Sequence, residues 1–283
     1  MDEVAPKGVD VSKPSVSRIY DYNLGGKDNF AIDREISHKI EKSMPESSGV
    51  AVLNRAMLRR AVRYLAGEAG LRQFLDLGSG LPARDNTHQV AGRIAEDSHV
   101  VYVDHDPIVL AHGRALLVDD DRTAVITADL SDVRTVLEHV ETRRLIDFDR
   151  PVAVMLCGIL HHFADDRDPA GIVKAYMDAV PTGSHLFITH FHRGTPEAPE
   201  LERKFIESIG TGWFRTEDQI RSYFLGMELV EPGLVPVSRW RPDPNYDREL
   251  WPDIPTQPLH DAAAGPAYTP NELLISGGIA RKA

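Results

Sequence analysis

The chain has one cysteine, Cys157, among 283 residues. A lone thiol excludes an intramolecular disulfide and a cysteine-built zinc site, and a reducing, cytoplasmic setting is the expectation. Positive charge is scarce: 32 Lys and Arg stand against 43 Asp and Glu, a formal net charge of −11. Nucleic-acid and membrane partners are therefore not expected, because neutralising phosphate takes grouped Lys and Arg. No run reaches the ~18 apolar residues of a membrane-spanning helix. The opening Met1-Asp2-Glu3-Val4-Ala5-Pro6 has no basic or apolar leader region, so no signal peptide is expected. No internal repeat is visible. The remainder is ordinary for a globular chain, 42% hydrophobic and 27% charged, and can bury a full core.

Residues 1–14 are polar and read as a loose end. Pro14 to Phe30 packs two tyrosines, Arg18 and Gly25-Gly26-Lys27 into a short space. It reads as an amphipathic helix with a glycine stop, or as a lid over a site. Helices are expected over 30–43 and 50–68, with Val50, Leu53, Met57, Leu58, Val62 and Leu65 at helical spacing. Arg55, Arg59, Arg60 and Arg63 lie between these and read as a solvated face.

From residue 72 the pattern becomes strand, turn, helix. Strands are expected at 73–77, 100–103, 124–127, 152–156 and 184–189, with helices at 86–96, 107–118, 132–145 and 169–180. Helices at 199–209 and 216–224, a proline-interrupted strand from Leu229 to Trp240, a proline-rich loop over 241–270 and a last strand within Glu272–Ala280 complete the chain. Five strands alternating with helices predict an α/β domain with a doubly wound, mostly parallel sheet. Right-handed crossovers gather the C-terminal strand ends on one edge, where ligands bind. That edge collects Asp76 to Gly80, Asp104 to Asp106, Asp129, Cys157 to His162 and His190.

Phe74-Leu75-Asp76-Leu77-Gly78-Ser79-Gly80 is a buried strand running into a turn where backbone approaches a ligand. Asp104 suits a ribose diol, Asp129 and the Leu130 backbone suit adenine, and Asp76 suits an ammonium group or the loop amides. Acids ordered on three successive strands fit an amino acid, a ribose and an adenine in a row, which is S-adenosylmethionine. Gly78 to Ala83 also satisfies a loose G-x-G-x-x-A pattern, so an NAD(P)-dependent oxidoreductase is the alternative. A pyrophosphate needs a helix N-terminus directly behind the glycines, and Pro82 to Asn86 delay that helix. A non-catalytic S-adenosylmethionine-binding regulator is a third reading.

These motifs, with Ser17-Arg18-Ile19-Tyr20-Asp21-Tyr22-Asn23-Leu24-Gly25-Gly26-Lys27-Asp28-Asn29-Phe30, Gly80-Leu81-Pro82 and Val101-Tyr102-Val103-Asp104-His105-Asp106-Pro107, resemble an actinobacterial S-adenosyl methyltransferase family, formerly a domain of unknown function. The resemblance covers most of residues 14–195. It implies a class I methyltransferase (Rossmann-like) fold, a seven-stranded sheet with an antiparallel final strand and added N-terminal helices. Residues 1–70 are then a helical lid or extension and 71–283 the cofactor domain, with its proline-rich insertion at 241–270. It implies S-adenosyl-L-methionine bound by Asp76, Gly78, Ser79, Gly80, Asp104, His105, Asp129, Leu130, Cys157 and Gly158, with Tyr22 reaching in from the lid. The tail Ser276 to Lys282 matches the family only loosely.

The expected activity is methyl transfer to a small-molecule acceptor. His161, His162 and His190 are candidate proton acceptors for a hydroxyl substrate. Their spacing fits no metal motif, so no metal site is expected. Phe191, Trp213, Phe214, Tyr223, Phe224 and Trp240 form an apolar acceptor pocket or, the commoner role, pack added helices onto the sheet.

Overall fold

The computed structural model describes residues 10–43, 48–116, 121–249 and 272–283. Three helices come first: α1 (Val16–Asn23), α2 (Ala31–Ser43) and α3 (Ser48–Gly67). Strand and helix then alternate through β1 (Gln73–Leu77), α4 (Thr87–Ile94), β2 (His99–Asp104), α5 (Pro107–Leu116), β3 (Thr123–Thr127), α6 (Val133–Glu138), α7 (Val140–Leu145), β4 (Ala153–Cys157), α8 (Pro169–Asp178) and β5 (His185–Phe191). Helices α9 (Ala198–Ile209) and α10 (Glu217–Ser222), strands β6 (Glu228–Leu229) and β7 (Val235–Pro236), α11 (Pro244–Arg248) and β8 (Ile275–Arg281) finish the fold. No described helix is long and apolar enough to cross a membrane.

The sheet runs β3-β2-β1-β4-β5-β8-β6, with β7 also paired to β8. Strands β1 to β5 are parallel and β8 is antiparallel to β5, with Ile188 opposite Gly278. Every residue of β1 is buried, as a strand covered on both faces must be. Alternation sends Phe74 to one face, with Met57, Leu65, Met155 and Phe187. It sends Leu75 and Leu77 to the other, with Val101, Val154, Val173 and Tyr176.

The expected seven strands become eight among the described residues. The single strand foreseen from Leu229 to Trp240 is two short pieces, because Pro232 and Gly233 turn the chain between them, and Val237–Arg239 is a 3-10 turn. The helix foreseen over 132–145 breaks at His139, whose extended backbone starts α7 while its Nδ1 accepts from the Glu141 N–H. Residues 244–248 of the expected loop are the helix α11; the rest of that loop from 250 to 270, and residues 1–9 of the loose end, lie outside the described residues.

Three of the four arginines of α3 are not on a solvated face, while Arg63 is half-exposed and pairs with Asp243 at 2.9 Å. Arg55, Arg59 and Arg60 are 6%, 1% and 3% exposed. Arg60 donates to the Trp240 and Val237 carbonyls and pairs with Asp247 at 2.5 Å. Arg59 pairs with Asp85 at 2.8 Å and lies over the Tyr246 ring, 3.9 Å from its centroid. These guanidiniums fasten α3 to a segment far along the chain.

Candidate active site

The C-terminal strand ends border a cavity of ≈ 630 Å³, also lined by α1 and the first half of α3. Its floor starts at the glycine turn after β1. Gly78 has φ +70° and Gly80 φ +67°, a region that costs other residues strain. A Cβ on Gly78 would also lie 2.3 Å from Ile159 Cγ1. The Gly78 and Ser79 amides donate to the Val103 carbonyl at 2.8 and 3.2 Å. Asp104 ties this turn to the next: its Oδ2 accepts from the Gly80 N–H at 2.8 Å and its Oδ1 from the Asp106 N–H at 2.9 Å. Each oxygen retains a lone pair for a further donor.

Asp76 is buried, and Thr87 Oγ1 donates to its Oδ2 at 2.7 Å. Burial pushes its carboxyl up to about 6, against the Thr87 hydrogen bond and the positive charge of Arg55. Asp129 is more open and accepts from the Ser131 N–H and hydroxyl. Leu130 is buried, its carbonyl accepting from Tyr176. Ser79, His105, Cys157 and Gly158 join these along the cavity wall. Cys157 Sγ lies 3.7 Å from Asn54 Oδ1 and 3.6 Å from Thr189 Oγ1, and burial pushes the thiol up to about 12. It is no nucleophile at neutral pH.

The histidines separate. His161 and His162 line the cavity. His161 stacks on Phe191 with centroids 3.8 Å apart, and its Nδ1 accepts from the Phe191 N–H. Burial holds it well below the usual histidine range. His162 Nδ1 meets Thr211 Oγ1 at 2.9 Å, and burial lowers its pKa to about 4. His190 is fully buried behind the wall, its Nδ1 on the Phe191 carbonyl, and burial lowers it to about 3. Tyr22 does not line the cavity either; its hydroxyl meets His38 Nε2 at 2.9 Å. Tyr20 lines it instead, bonded to the Ala51 carbonyl and to Asn54.

The aromatic group divides in the same way. Phe191, Trp213 and Phe214 line the cavity, whereas Tyr223, Phe224 and Trp240 belong to the core. Sequence reasoning missed Asn54, Arg55, Arg167, Leu201, Phe205, Ile209 and Thr211, all of which line the cavity. Arg55 is one of four arginines in α3 and nothing local sets it apart; like the rest, it is brought to the cavity by tertiary contacts.

The N-terminal signature is a polar scaffold. Arg18 pairs with Asp33 at 2.8 Å, both buried. Asp21 Oδ2 accepts from the Asp28 N–H and the Asn29 amide. A Cβ on Gly26 would lie 1.9 Å from Asp21 Oδ1, so glycine is required there. Ser15 Oγ donates to Asp106 Oδ2 at 2.8 Å, which joins α1 to the loop carrying Asp104.

This arrangement accommodates S-adenosylmethionine. Carboxylates suited to an ammonium and a ribose stand at successive strand ends, and glycine amides with positive φ lie between them. The Ser79 hydroxyl and Arg55 Nε are buried without a protein partner, so the wall has polar capacity to spare. Helix α4 starts only at Thr87, leaving no helix N-terminus behind Gly80 for a pyrophosphate. Five parallel strands closed by an antiparallel strand, with the glycine turn after β1 and the acid ending β2, define a class I methyltransferase.

Within that class the chain belongs to the S-adenosyl methyltransferase family, whose model matches residues 2–283. A crystal structure of a Thermobifida fusca protein provisionally assigned as a methyltransferase is 47% identical, covers 98% of both chains and superposes with a TM-score of 0.88. A Streptomyces avermitilis protein of the DUF574 family is 35% identical over 97% of this chain and 99% of its own, with a TM-score of 0.85. An O-methyltransferase family protein of Burkholderia thailandensis, 13% identical over 91% of this chain and 73% of its own, shares the fold at a TM-score of 0.51. A comparison with curated proteins finds no match. The protein is an S-adenosylmethionine-dependent methyltransferase, and the oxidoreductase and regulator alternatives give way to that assignment.

Proposed function

We propose that the enzyme methylates a small-molecule acceptor, enclosed beside the cofactor in the cavity under α1, and that it works in the cytoplasm. The observation that carries this is the composition of the cavity wall: charged and glycine-rich at the ends of β1 to β3, apolar and aromatic from β5 to β8. When bound, S-adenosylmethionine supplies a methyl group activated by its sulfonium. Asp104 is assigned to the ribose hydroxyls, His105, Asp129 and Leu130 to the adenine, and Asp76 to the ammonium. Gly78, Ser79, Gly80, Cys157 and Gly158 are assigned to the floor. Arg55 is added here as the cationic partner of the carboxylate end, since its side chain lines the wall near Asp76.

His162 is the candidate proton acceptor. It lines the cavity, and its Nδ1 is engaged by Thr211. When Nδ1–H donates to Thr211, Nε2 carries a free lone pair and can receive a proton from an acceptor hydroxyl. His161 and His190 have ring nitrogens committed to Phe191 backbone groups and serve as packing. Within the N-terminal extension, α1 and α2 act as a lid held to the cofactor loop through Ser15 and Asp106, while α3 packs against the sheet. A net charge of −11 supports a small acceptor over a nucleic acid.

The test is calorimetry with S-adenosylhomocysteine and NAD, followed by label transfer from methyl-labelled S-adenosylmethionine across a set of metabolites. Binding of S-adenosylhomocysteine alone, with label reaching a small molecule, is expected. Binding of NAD in preference would sink the proposal.

A further inference from the structure

Among the described residues, the lining contributed by chain beyond β4 and its following turns contains no Asp, Glu, Lys or Arg. Phe191, Leu201, Phe205, Ile209, Trp213 and Phe214 make that half of the wall. Three of the rings pack together: Phe191 lies 5.2 Å from Phe205 and 4.7 Å from Phe214, centroid to centroid. The charged residues of the same elements are matched elsewhere. Arg193 pairs with Glu202 at 2.9 Å, Arg203 with Glu200 and Glu207, and Arg215 with Asp165 at 2.7 Å.

Among the described residues, the polar groups on the segments next to this half are His161, His162, Thr211 and Arg167, the last matched by Asp129 at 3.6 Å. Burial keeps both imidazoles uncharged at neutral pH. An anionic acceptor seated here would lose its hydration and gain no counter-charge from the described lining of this half. A planar aromatic ring loses nothing comparable and gains contact with an apolar, aromatic wall. A hydroxyl on that ring would find His162 as its candidate proton acceptor, the lining histidine whose Nδ1 meets the Thr211 side chain and not the backbone.

We infer that this half of the cavity is an acceptor site for neutral aromatic hydroxyl compounds and that it rejects carboxylates of the same shape. The inference rests on the methyl-acceptor reading above and names its substrate class. In the reaction it implies, the ring oxygen gains the methyl as the sulfonium carbon–sulfur bond breaks, and the hydroxyl proton passes to His162 Nε2. One neutral thioether and one aryl methyl ether result.

Binding is read without turnover. Trp213 on this wall reports occupancy by fluorescence, with Trp213→Phe as the control that removes the signal. The whole chain is titrated with 2-naphthol and with 2-naphthoate, with and without S-adenosylhomocysteine. Naphthol should bind and quench Trp213, and naphthoate should bind at least about tenfold more weakly. Phe205→Ala should weaken naphthol several-fold while leaving S-adenosylhomocysteine affinity unchanged. Ile209→Lys, which sets a cation on the same wall, should narrow or reverse the preference. Equal or tighter binding of naphthoate to the unmodified chain, no binding of naphthol, or indifference of naphthol to both variants would overturn the inference. The S-adenosylhomocysteine titration judges the cofactor reading separately, because its loss would leave the naphthol comparison interpretable.

Discussion

Asp104 accepts from two backbone amides on two different loops, so it shapes the site as well as facing it. Sequence position gave its placement at the end of β2 but not this bracing of the glycine turn. Asp104→Ala leaves the Gly80 and Asp106 amides without their acceptor. S-adenosylhomocysteine affinity should fall at least about 30-fold by calorimetry, the worth of charged hydrogen bonds lost. Asp76 makes a pH prediction. Its pKa of about 6 is raised by burial, and a bound ammonium would favour the ionised form. Cofactor affinity should therefore be full above pH 6 and decline as pH falls through it. Asp76→Asn should flatten that decline and cost about tenfold in affinity at pH 7.5. Arg55 shows the limit of local reading. It sits one residue from Asn54 in a helix whose arginines look solvated by spacing alone, and the loop carbonyls it meets, Arg84 and Asp85, are brought to it only by the fold.

At the scale of elements, the five parallel strands were legible because strands buried on both faces are unbroken apolar runs with turn signals after them. The expected bounds of β1 match the structure at both ends. Less legible were elements whose partners lie far along the chain. Helix α3 holds α11 through Arg60 and Asp247, 187 residues apart, and no window of sequence contains both. Arg60→Ala strands a buried carboxylate and two carbonyls, and should cost about 3–5 kcal/mol of stability in urea unfolding. The tail expected to match only loosely lies inside the family match, which runs to residue 283, and its glycine has a packing reason. A Cβ on Gly277 would lie 2.7 Å from Thr189 Cγ2 and 2.8 Å from Met57 Sδ, so glycine lets β8 seat between β5 and α3. The split of α6 from α7 turns on one residue, His139, whose capping role is not among the usual stop signals.

For the whole molecule, burial of histidine sets the response to acid. His161, His162 and His190 are all held below their ordinary range, His162 to about 4 and His190 to about 3. The unfolded chain takes up protons near pH 6.5 that the native state declines. Their contribution to stability is full above pH 6.5 and is lost as pH falls toward 4, by up to ~1.4 kcal/mol per pH unit for each group. Asp76 opposes this below about 6, because the native carboxyl holds a proton the unfolded one has released. Burial raises Asp21, Asp104 and Asp247 in the same sense, while His99, His185 and His192, lowered by burial, act with the three histidines. The melting temperature should drop between pH 7 and 5, with His190→Gln reducing the slope; a melting temperature that rises over that interval would refute the linkage. The same fold that buries these imidazoles brings the ends of β1 to β5 and the start of β8 around one cavity, polar at one end and aromatic at the other. That division was only half visible in the sequence, since the acids follow strands in order while the aromatic wall is assembled from β5, α9 and the segment at 211–214. A crystal structure with S-adenosylhomocysteine tests the account most directly. The ribose hydroxyls should lie within hydrogen-bond distance of Asp104, the adenine against Leu130 and Asp129, and the sulfur toward the wall formed by His162 and Phe191. A ligand seated outside this cavity, or inside it with Asp104 out of reach of the ribose, would contradict it.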